Sequence, residues 1–295
     1  MAFDLSEISQ HIQNAEEVVR KAALDAATAR HFYKVVDVKG PYNLHQIDDE
    51  VIFQEGGCGW SPSGDTALVD RQIEPALISV QKEYCKADLL KTYKNYDVNL
   101  KDSNVPFEDY VLDLTLTGTR EKIEKMIWQG DGVGASFEGV LSILDTDNAP
   151  EVNVASGTTA TAFLEKVYHN IDERVADKAV IFVGAKVFRE ALMEYANSTF
   201  STQIDFSNVK DEFVMPGTDG TRIIKVNGLN ATADYDYAVA GDPRMFVFGV
   251  SSDDDINELK SDYDEKELKL WVRMDFLAGT QVLFPELVVV GKRAK

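Results

Sequence analysis

A glycine-rich segment lies between strand-like sequences in the region of residues 50–82. The segment 55–65 contains four glycines and is dense in turn-forming residues, which predicts the tip of an excursion. After this tip, residues 66–73 and 76–81 alternate between apolar and polar side chains, as a returning strand does. A two-stranded β excursion is not stable alone, because it has no second layer to cover an apolar face. We therefore expect this region to pack on another surface, either in the same chain or in another subunit.

The composition argues against several classes of protein. With 295 residues, of which 44% are hydrophobic, the chain can bury a core and has room for one large or two modest domains. The 50 acidic residues against 30 Lys and Arg give a net charge of -20. This charge argues against a dedicated nucleic-acid-binding protein and against attraction to an anionic membrane surface. No apolar run reaches about 18 residues and the start shows no signal-peptide pattern, so we expect no membrane span and a cytoplasmic origin.

No motif in the sequence predicts catalysis. The segment 130–134, Gly-Asp-Gly-Val-Gly, follows a predicted helix rather than a strand, so we interpret it as a helix end and a turn, not as a phosphate-binding loop. The acidic stretch 253–265 lacks the spacing and central glycine of a calcium loop, and we interpret it as a solvated loop. Cys58, Cys85 and four scattered histidines form no zinc or disulfide pattern. We therefore assign no catalytic residue, no cofactor and no metal, and expect that the protein is not an enzyme.

The chain as a whole predicts a mixed α+β fold, because its helical and strand-like segments do not alternate as they would in a regular βαβ winding. Helices are predicted at 5–30, 106–128, 160–171 and 186–197, and strands at 33–38, 50–53, 179–183, 222–226, 237–240, 245–250, 268–276 and 281–290. The first helix carries an apolar stripe made mostly of alanine, with Ile8, Ile12 and Val19 among its larger members. Such a stripe suits packing against a partner better than holding a domain together.

The order of these segments resembles the major capsid proteins of tailed bacteriophages, which share the HK97-type fold. The segments that carry the resemblance include Trp-Ser-Pro-Ser-Gly-Asp at 60–65 and Trp-Gln-Gly-Asp at 128–131. The others lie at 72–75, 83–89, 137–141, 179–184, 272–276 and 278–286. Together these segments extend over most of the chain, and their order, more than any one of them, supports the resemblance.

The resemblance implies a division of the chain into the parts of an HK97-type subunit. These parts are an N-terminal arm at 1–49, an extended β-hairpin called the E-loop at 50–82, a peripheral domain at 83–136 with a long spine helix at about 106–128, an axial domain at 137–265, and a return to the peripheral domain at 266–295. The implied function is structural. Subunits would assemble into hexamers and pentamers of an icosahedral phage head that encloses double-stranded DNA, built in the host bacterial cytoplasm and retained as the virion capsid.

The resemblance also implies partners and contacts. The main partner is a second copy of the chain, and the others are a portal and decoration or head-completion proteins; the DNA is enclosed without sequence-specific binding. Only some 50 residues precede the E-loop, fewer than a fused scaffolding segment of about a hundred residues, so we expect a separate scaffolding protein. No lysine lies between Lys39 and Lys82, so we expect no covalent cross-link from the E-loop. The candidate inter-subunit contacts are Ile8, Ile12 and Val19 in the arm, Trp60 at the loop tip and Trp128 at the end of the spine helix.

Two other functions are compatible with the sequence. An encapsulin-type bacterial compartment would share the fold and differ in its contents, which would be a protein cargo. A cytoplasmic α+β enzyme with an unrecognised site would form a small, fixed oligomer with a deep polar pocket.

Overall fold

The computed structural model describes residues 28–36, 38–49, 66–85, 88, 91, 107–198, 204, 209–229, 234–251, 258–264, 266–267 and 269–295. The helix predicted at 5–30, apart from its last three residues, lies outside these ranges. So do the strand predicted at 50–53, the glycine-rich tip and half of the acidic stretch. Predictions that fall there remain predictions.

The described strands and helices include most of the predicted ones, with two corrections: residues 258–264, predicted as part of a solvated loop, form a strand, and the strand predicted at 281–290 is interrupted at 283–288. The strands are β1 Tyr33–Val36, β2 Tyr42–Asp49, β3 Thr66–Ile73, β4 Ala76–Cys85, β5 Glu151–Val154, β6 Val180–Val183, β7 Glu212–Val214, β8 Arg222–Lys225, β9 Tyr235–Gly241, β10 Phe246–Val250, β11 Glu258–Asp264, β12 Lys269–Val282 and β13 Val289–Ala294. The helices are α1 Phe107–Gln129, α2 Val140–Thr146, α3 Ala160–His169 and α4 Ala185–Ala196. The predicted helix at 106–128 is confirmed as α1, which is continuous through Gly118. In the described part of the chain, no helix is long and apolar enough to cross a membrane.

One sheet is built around the long strand β12. Its order is β1-β10-β12-β11, with β4 paired to the other side of β12, and only the β1–β10 pair is parallel. Side chains along β12 alternate: Leu270 and Val272 are buried, whereas Trp271 is exposed. Helix α1 crosses the buried face. There the hydroxyl groups of Tyr84 in β4 and Thr115 in α1 form a hydrogen bond of 2.8 Å.

The second sheet has the order β5-β13-β9-β6-β8-β7 and is covered on both faces. In β6, Ile181 and Val183 pack with residues of α3 and α4, whereas Val180 and Phe182 point into the core that α1 shares. All four side chains of β6 are buried, as expected for a central strand with a layer on each side. Strand β13 pairs with β5 and β9 in this sheet. Within 266–295, β12 thus pairs in the first sheet and β13 in the second, while the division into domains stays a prediction.

Between β1 and β4, both strands of the first sheet, the chain forms a separate two-stranded ribbon. Strands β2 and β3 are antiparallel, with Tyr42 opposite Ile73 at one end and Asp49 opposite Thr66 at the other. The excursion thus begins before residue 50. It also ends earlier than predicted, because residues 76–82 pair with β12 along the body of the molecule. We call β2 and β3 the ribbon.

The predicted helix end and turn at 130–134 is confirmed. The amide of Gly130 donates a hydrogen bond to the Met126 carbonyl oxygen, and Asp131 then forms an isolated β-bridge with Glu138. A phosphate-binding loop would follow a strand, so this geometry excludes one here.

Candidate functional site

The end of the N-terminal segment enters the core beside the second half of α1. Thr28 and Trp128 have no exposed surface, and Glu124 is 5% exposed. The backbone N–H of Thr28 donates to Glu124 Oε2 at 3.1 Å, and the Thr28 hydroxyl donates to Glu124 Oε1. The indole Nε1–H of Trp128 donates to Thr28 Oγ1 at 3.0 Å. Because Glu124 and Trp128 are four residues apart, they lie on the same face of the helix and hold one threonine together.

Aromatic rings surround this junction. Phe32 stacks on Phe246 with ring centroids 5.1 Å apart, and it meets Trp128 and Phe182 edge-on at 5.5 Å and 5.9 Å. Edge-to-face and stacked pairs of this kind add to the energy of burial. The prediction that Trp128 is an inter-subunit contact is wrong, because a side chain without exposed surface cannot contact a second subunit.

Burial raises the pKa of Glu124, since the apolar surroundings disfavour its charged form. Hydrogen bonds from Thr28 and from the backbone of Gly228 act in the opposite direction and only partly offset this effect. Glu124 therefore joins three segments: α1, the N-terminal segment and the loop at 227–229. Nothing in the sequence pattern around Thr28 indicated this junction.

The other four predicted contact residues, Ile8, Ile12, Val19 and Trp60, lie outside the described residues. Their role stays a prediction. The structure supplies a different set of exposed apolar side chains instead. On the first sheet these are Tyr33, Val36, Leu77 and Trp271.

Leu77 and Trp271 lie on the outer face of the first sheet, opposite α1. Leu77 is 61% exposed and lies opposite Leu277, and Trp271 is 42% exposed and lies opposite Glu83. The ammonium group of Lys269 lies 5.7 Å from the centre of the Trp271 ring and 2.9 Å from a Glu83 carboxylate oxygen. Such mixed apolar and charged surfaces suit protein contacts. The alternation in 269–277 was visible in the sequence, but which face stays uncovered depends on where α1 packs.

The ribbon offers a second exposed surface. His45 Nδ1 and Asp70 Oδ1 are 2.6 Å apart across its two strands, and both side chains are more than 60% exposed. Asn43 is also exposed. Two strands alone gain little from apolar burial, so the ribbon suits contact with another part of the chain or with another molecule.

A polar cavity of about 370 Å³ lies beside β9, β13 and α4. Arg293 donates to Asp236 and to Glu190 at 2.6 Å each, and Lys186 donates to Asp236 at 3.1 Å. Burial opposes ionisation of Asp236, but the hydrogen bonds from Arg293 and Lys186 outweigh it and lower the pKa of that carboxyl group. Thr158, Thr159 and Lys186 line the cavity without a histidine beside them, and the ammonium group of Lys186 is already paired with Asp236. This arrangement ties β9 and β13 to α4.

Within the described ranges, no group of three or more His, Cys, Asp or Glu side chains could hold a metal ion. Cys85 is a free, exposed thiol with no disulfide partner. Among the described residues, the outer face of the first sheet and the ribbon are therefore the candidate contact surfaces.

No protein-family model and no curated protein matches the sequence. Solved structures match its fold, and they define a class: the HK97-type subunits of phage-like capsids. The capsid of a native GTA particle is 13% identical with a TM-score of 0.61, and the match covers 93% of this chain and 90% of that chain. A Gordonia phage Cozz structure is 13% identical with a TM-score of 0.62, over 92% and 87% of the two chains.

A third structure extends the match to nearly the full length. The satellite phage P4 procapsid, which includes the size determination (Sid) protein, is 10% identical with a TM-score of 0.60 and covers 99% of this chain and 91% of that chain. At such identities the likeness is one of fold. The predicted α+β, HK97-type fold is therefore confirmed.

Proposed function

We propose that this chain is the major capsid protein of a tailed bacteriophage, a structural subunit without catalytic activity. The observation that supports this proposal is the match of fold, over more than nine-tenths of the chain, to capsid structures such as that of the GTA particle. The subunits would form hexamers and pentamers of an icosahedral head around double-stranded DNA. Assembly would take place in the host bacterial cytoplasm, and the protein would remain in the virion capsid.

The observed elements fit the parts of such a subunit with altered boundaries. We assign α1 to the spine helix and the sheet around β12 to the peripheral domain, and the sheet around β9 with α3 and α4 to the axial domain. The ribbon would be the base of the E-loop. Residues before β1 would be the N-terminal arm, with Thr28 as the point where the arm joins the core.

The charge of the chain supports a container role. A net charge of -20 leaves no general attraction for phosphates, so packed DNA would be confined by the wall without being bound to it. Other partners would be a portal, decoration or head-completion proteins, and a separate scaffolding protein. The P4 procapsid, which includes a size determination protein, supports the idea that a second protein assists assembly.

Two alternatives remain testable. An encapsulin-type compartment would use the same fold, but the similar structures named above come from phages and a GTA particle, which favours a phage head. An enzyme is disfavoured because the same similar structures are structural subunits of capsids.

Electron microscopy of the purified full-length protein tests the proposal. We expect uniform shells or hexameric rings, and particles from infected cells should contain nuclease-protected DNA. Shells that hold a protein cargo and no DNA would favour the encapsulin-type compartment. Discrete small globules under all assembly conditions would contradict both shell functions.

A ribbon-deleted variant sharpens this experiment. Replacing residues 44–70 by a short glycine–serine linker keeps Ile73 and its packing against the body. We expect this variant to retain the parent's cooperative unfolding and to lose shell formation. Shells of normal yield from the variant would show that the ribbon is not an assembly contact.

A further inference from the structure

The ribbon is attached to the body at a socket formed by two glycines. Gly249 of β10 and Gly279 of β12 lie opposite each other in the first sheet. Ile73, the last residue of the ribbon, has no exposed surface and fills the space that side chains would occupy at these two positions. A Cβ atom at Gly279 would lie 2.9 Å from Ile73 Cγ2 and 3.0 Å from Pro75 Cα.

The chain entering the ribbon uses the same socket as the chain leaving it. Val38 precedes β2 and is fully buried. A Cβ atom added at Gly249 would lie 3.0 Å from the Cγ2 atom of Val38. The Ile73 Cδ1 atom would lie 3.3 Å from that same Cβ. Val38, four residues before the ribbon, and Ile73, its last residue, therefore lie side by side at this glycine pair.

Two polar contacts hold the base of the ribbon laterally. Arg71 Nη1 donates to Asp147 Oδ2 at 2.5 Å, which ties β3 to the end of α2. Gln281 Nε2 of β12 donates to the Gln72 backbone carbonyl at 2.6 Å. The Arg71 and Asp147 side chains are 25% and 29% exposed, so their ion pair is partly shielded from solvent.

We propose that this root is a fixed joint that sets the direction in which the ribbon leaves the subunit. The root comprises Val38, Arg71, Ile73, Asp147, Gly249 and Gly279. These would be positioning residues: they make contacts within their own subunit and act by fixing the direction of the ribbon. That the ribbon then reaches a neighbouring subunit rests on the proposed capsid function, whereas its direction is a property of the single chain.

The geometry makes the direction sensitive to small changes at the root. An added methyl group at Gly249 would force its neighbours to move by a few tenths of an ångström. Across a root about 5 Å wide this turns the ribbon by a few degrees, and over eight residues at about 3.4 Å each the far end moves by about 2 Å. In a shell, every subunit would carry the same displacement, so it would alter the angle between neighbours.

A distance measured within one chain tests the joint. Spin labels at Thr66→Cys, at the far end of β3, and at Glu165→Cys, on the exposed side of α3, report the ribbon's position. Cys58→Ser and Cys85→Ser remove the native thiols, and labelled chains are diluted into an excess of unlabelled protein. Electron–electron resonance should give one narrow distance for the parent, and Gly249→Ala should shift its mean by about 2 Å.

Matched variants separate direction from general damage. Gly118→Ala, at a site with open space inside α1, should leave the distance unchanged. Adding Val38→Ala to Gly249→Ala removes the closest methyl group and should restore the parent distance. If Gly249→Ala fails to unfold cooperatively, Arg71→Met should still widen the distribution, whereas Arg174→Met, which breaks an exposed ion pair with Asp172, should not.

Parent-like distances in both Gly249→Ala and Arg71→Met would overturn the joint, whether or not the protein forms shells. A shifted distance that the Val38→Ala change restores would support it. A shifted distance in chains that form shells of unchanged diameter would contradict the step from ribbon direction to shell geometry. Failure of the parent to form shells would overturn the proposed function and leave the distance experiment as the test of the joint.

Discussion

The Glu124 carboxylate accepts several hydrogen bonds and is almost completely shielded from solvent. Its pKa is raised by burial, so the folded state binds a proton more tightly than the unfolded chain, whose ordinary value is 4.5. The stabilising effect of that proton is fully present below the unfolded pKa and is lost as pH rises through the folded pKa. The free energy of unfolding attributable to Glu124 should therefore increase as pH falls from neutral toward 4.5.

The Glu124→Gln variant makes this effect measurable in a chain with many other carboxylates. Glutamine keeps the shape and an acceptor for the Thr28 N–H, but it does not titrate. Urea unfolding of both proteins over this pH range should show the parent gaining stability relative to the variant on acidification. Curves that run parallel at all pH values would contradict a raised pKa.

The Thr28 hydroxyl has two partners that no other group in the junction replaces. Valine has nearly the same shape, so Thr28→Val removes the hydroxyl and leaves the Glu124 carboxylate and the Trp128 indole N–H each short of a partner. We expect the free energy of unfolding to fall by about 1–3 kcal/mol. Chemical denaturation measures it, and the exposed Thr146→Val should change it by less than about 0.5 kcal/mol. Equal effects at both sites would mean that the hydroxyl contributes nothing specific.

At the scale of elements, the end of α1 requires a glycine at position 130. A Cβ atom at Gly130 would lie 2.1 Å from the Phe137 carbonyl oxygen and 2.7 Å from that of Met126, both of them backbone atoms. Gly130→Ala should therefore cost about 3 kcal/mol or more, since the turn and the helix end cannot both be kept. Gly118→Ala, in the same helix with open space around it, should instead stabilise by about 0.5–1 kcal/mol. Thermal unfolding of the two variants tests the contrast, and a similar loss in both would refute it.

Most elements could be predicted from local pattern, but their partners could not. The alternation in 268–276 and the apolar run at 179–183 located β12 and β6, because burial on one or both faces leaves a period in the sequence. Strand β2 was missed, since Ile47 breaks the alternation set by Tyr42 and Leu44. The pairing of β4 with β12 was missed as well, because register joins residues far apart in the chain and leaves no local signal.

At the scale of the whole molecule, the candidate site was predicted less well than the fold, because contacts between residues far apart in the chain leave no local signal. Trp128 was predicted to be a contact residue, but Thr28, Phe182 and Phe246, all distant from it in the chain, pack around it and bury it. The socket at Gly249 and Gly279 could not be predicted from the sequence either, since these two glycines come together only when β10 and β12 pair. That the ribbon needs a further surface to pack on stays a prediction from the sequence, based on the low stability of two strands alone.

The sequence of the ribbon region also limits the chemistry of any shell. No lysine lies between Lys39 and Lys82, so this region has no amine that could form an isopeptide bond with a neighbour. Boiled and reduced particles should therefore migrate as single chains on a denaturing gel. A ladder of multimers would contradict this expectation and identify a nucleophile elsewhere in the chain.

Two tryptophans distinguish assembly from folding in the whole particle. Trp128 packs inside the subunit, so Trp128→Ala should lower the free energy of unfolding by about 3–5 kcal/mol. Trp60, in the glycine-rich segment, is predicted to anchor the ribbon on a neighbour, and large aromatic anchors dominate many interfaces. Trp60→Ala should leave unfolding nearly unchanged and raise the protein concentration needed for assembly by about tenfold or more. Light scattering measures assembly and urea titration measures folding in the same preparations. If Trp60→Ala lowered the unfolding free energy as much as Trp128→Ala does, Trp60 would belong to the subunit's own core, and the neighbouring subunit would have to be held by other parts of the ribbon.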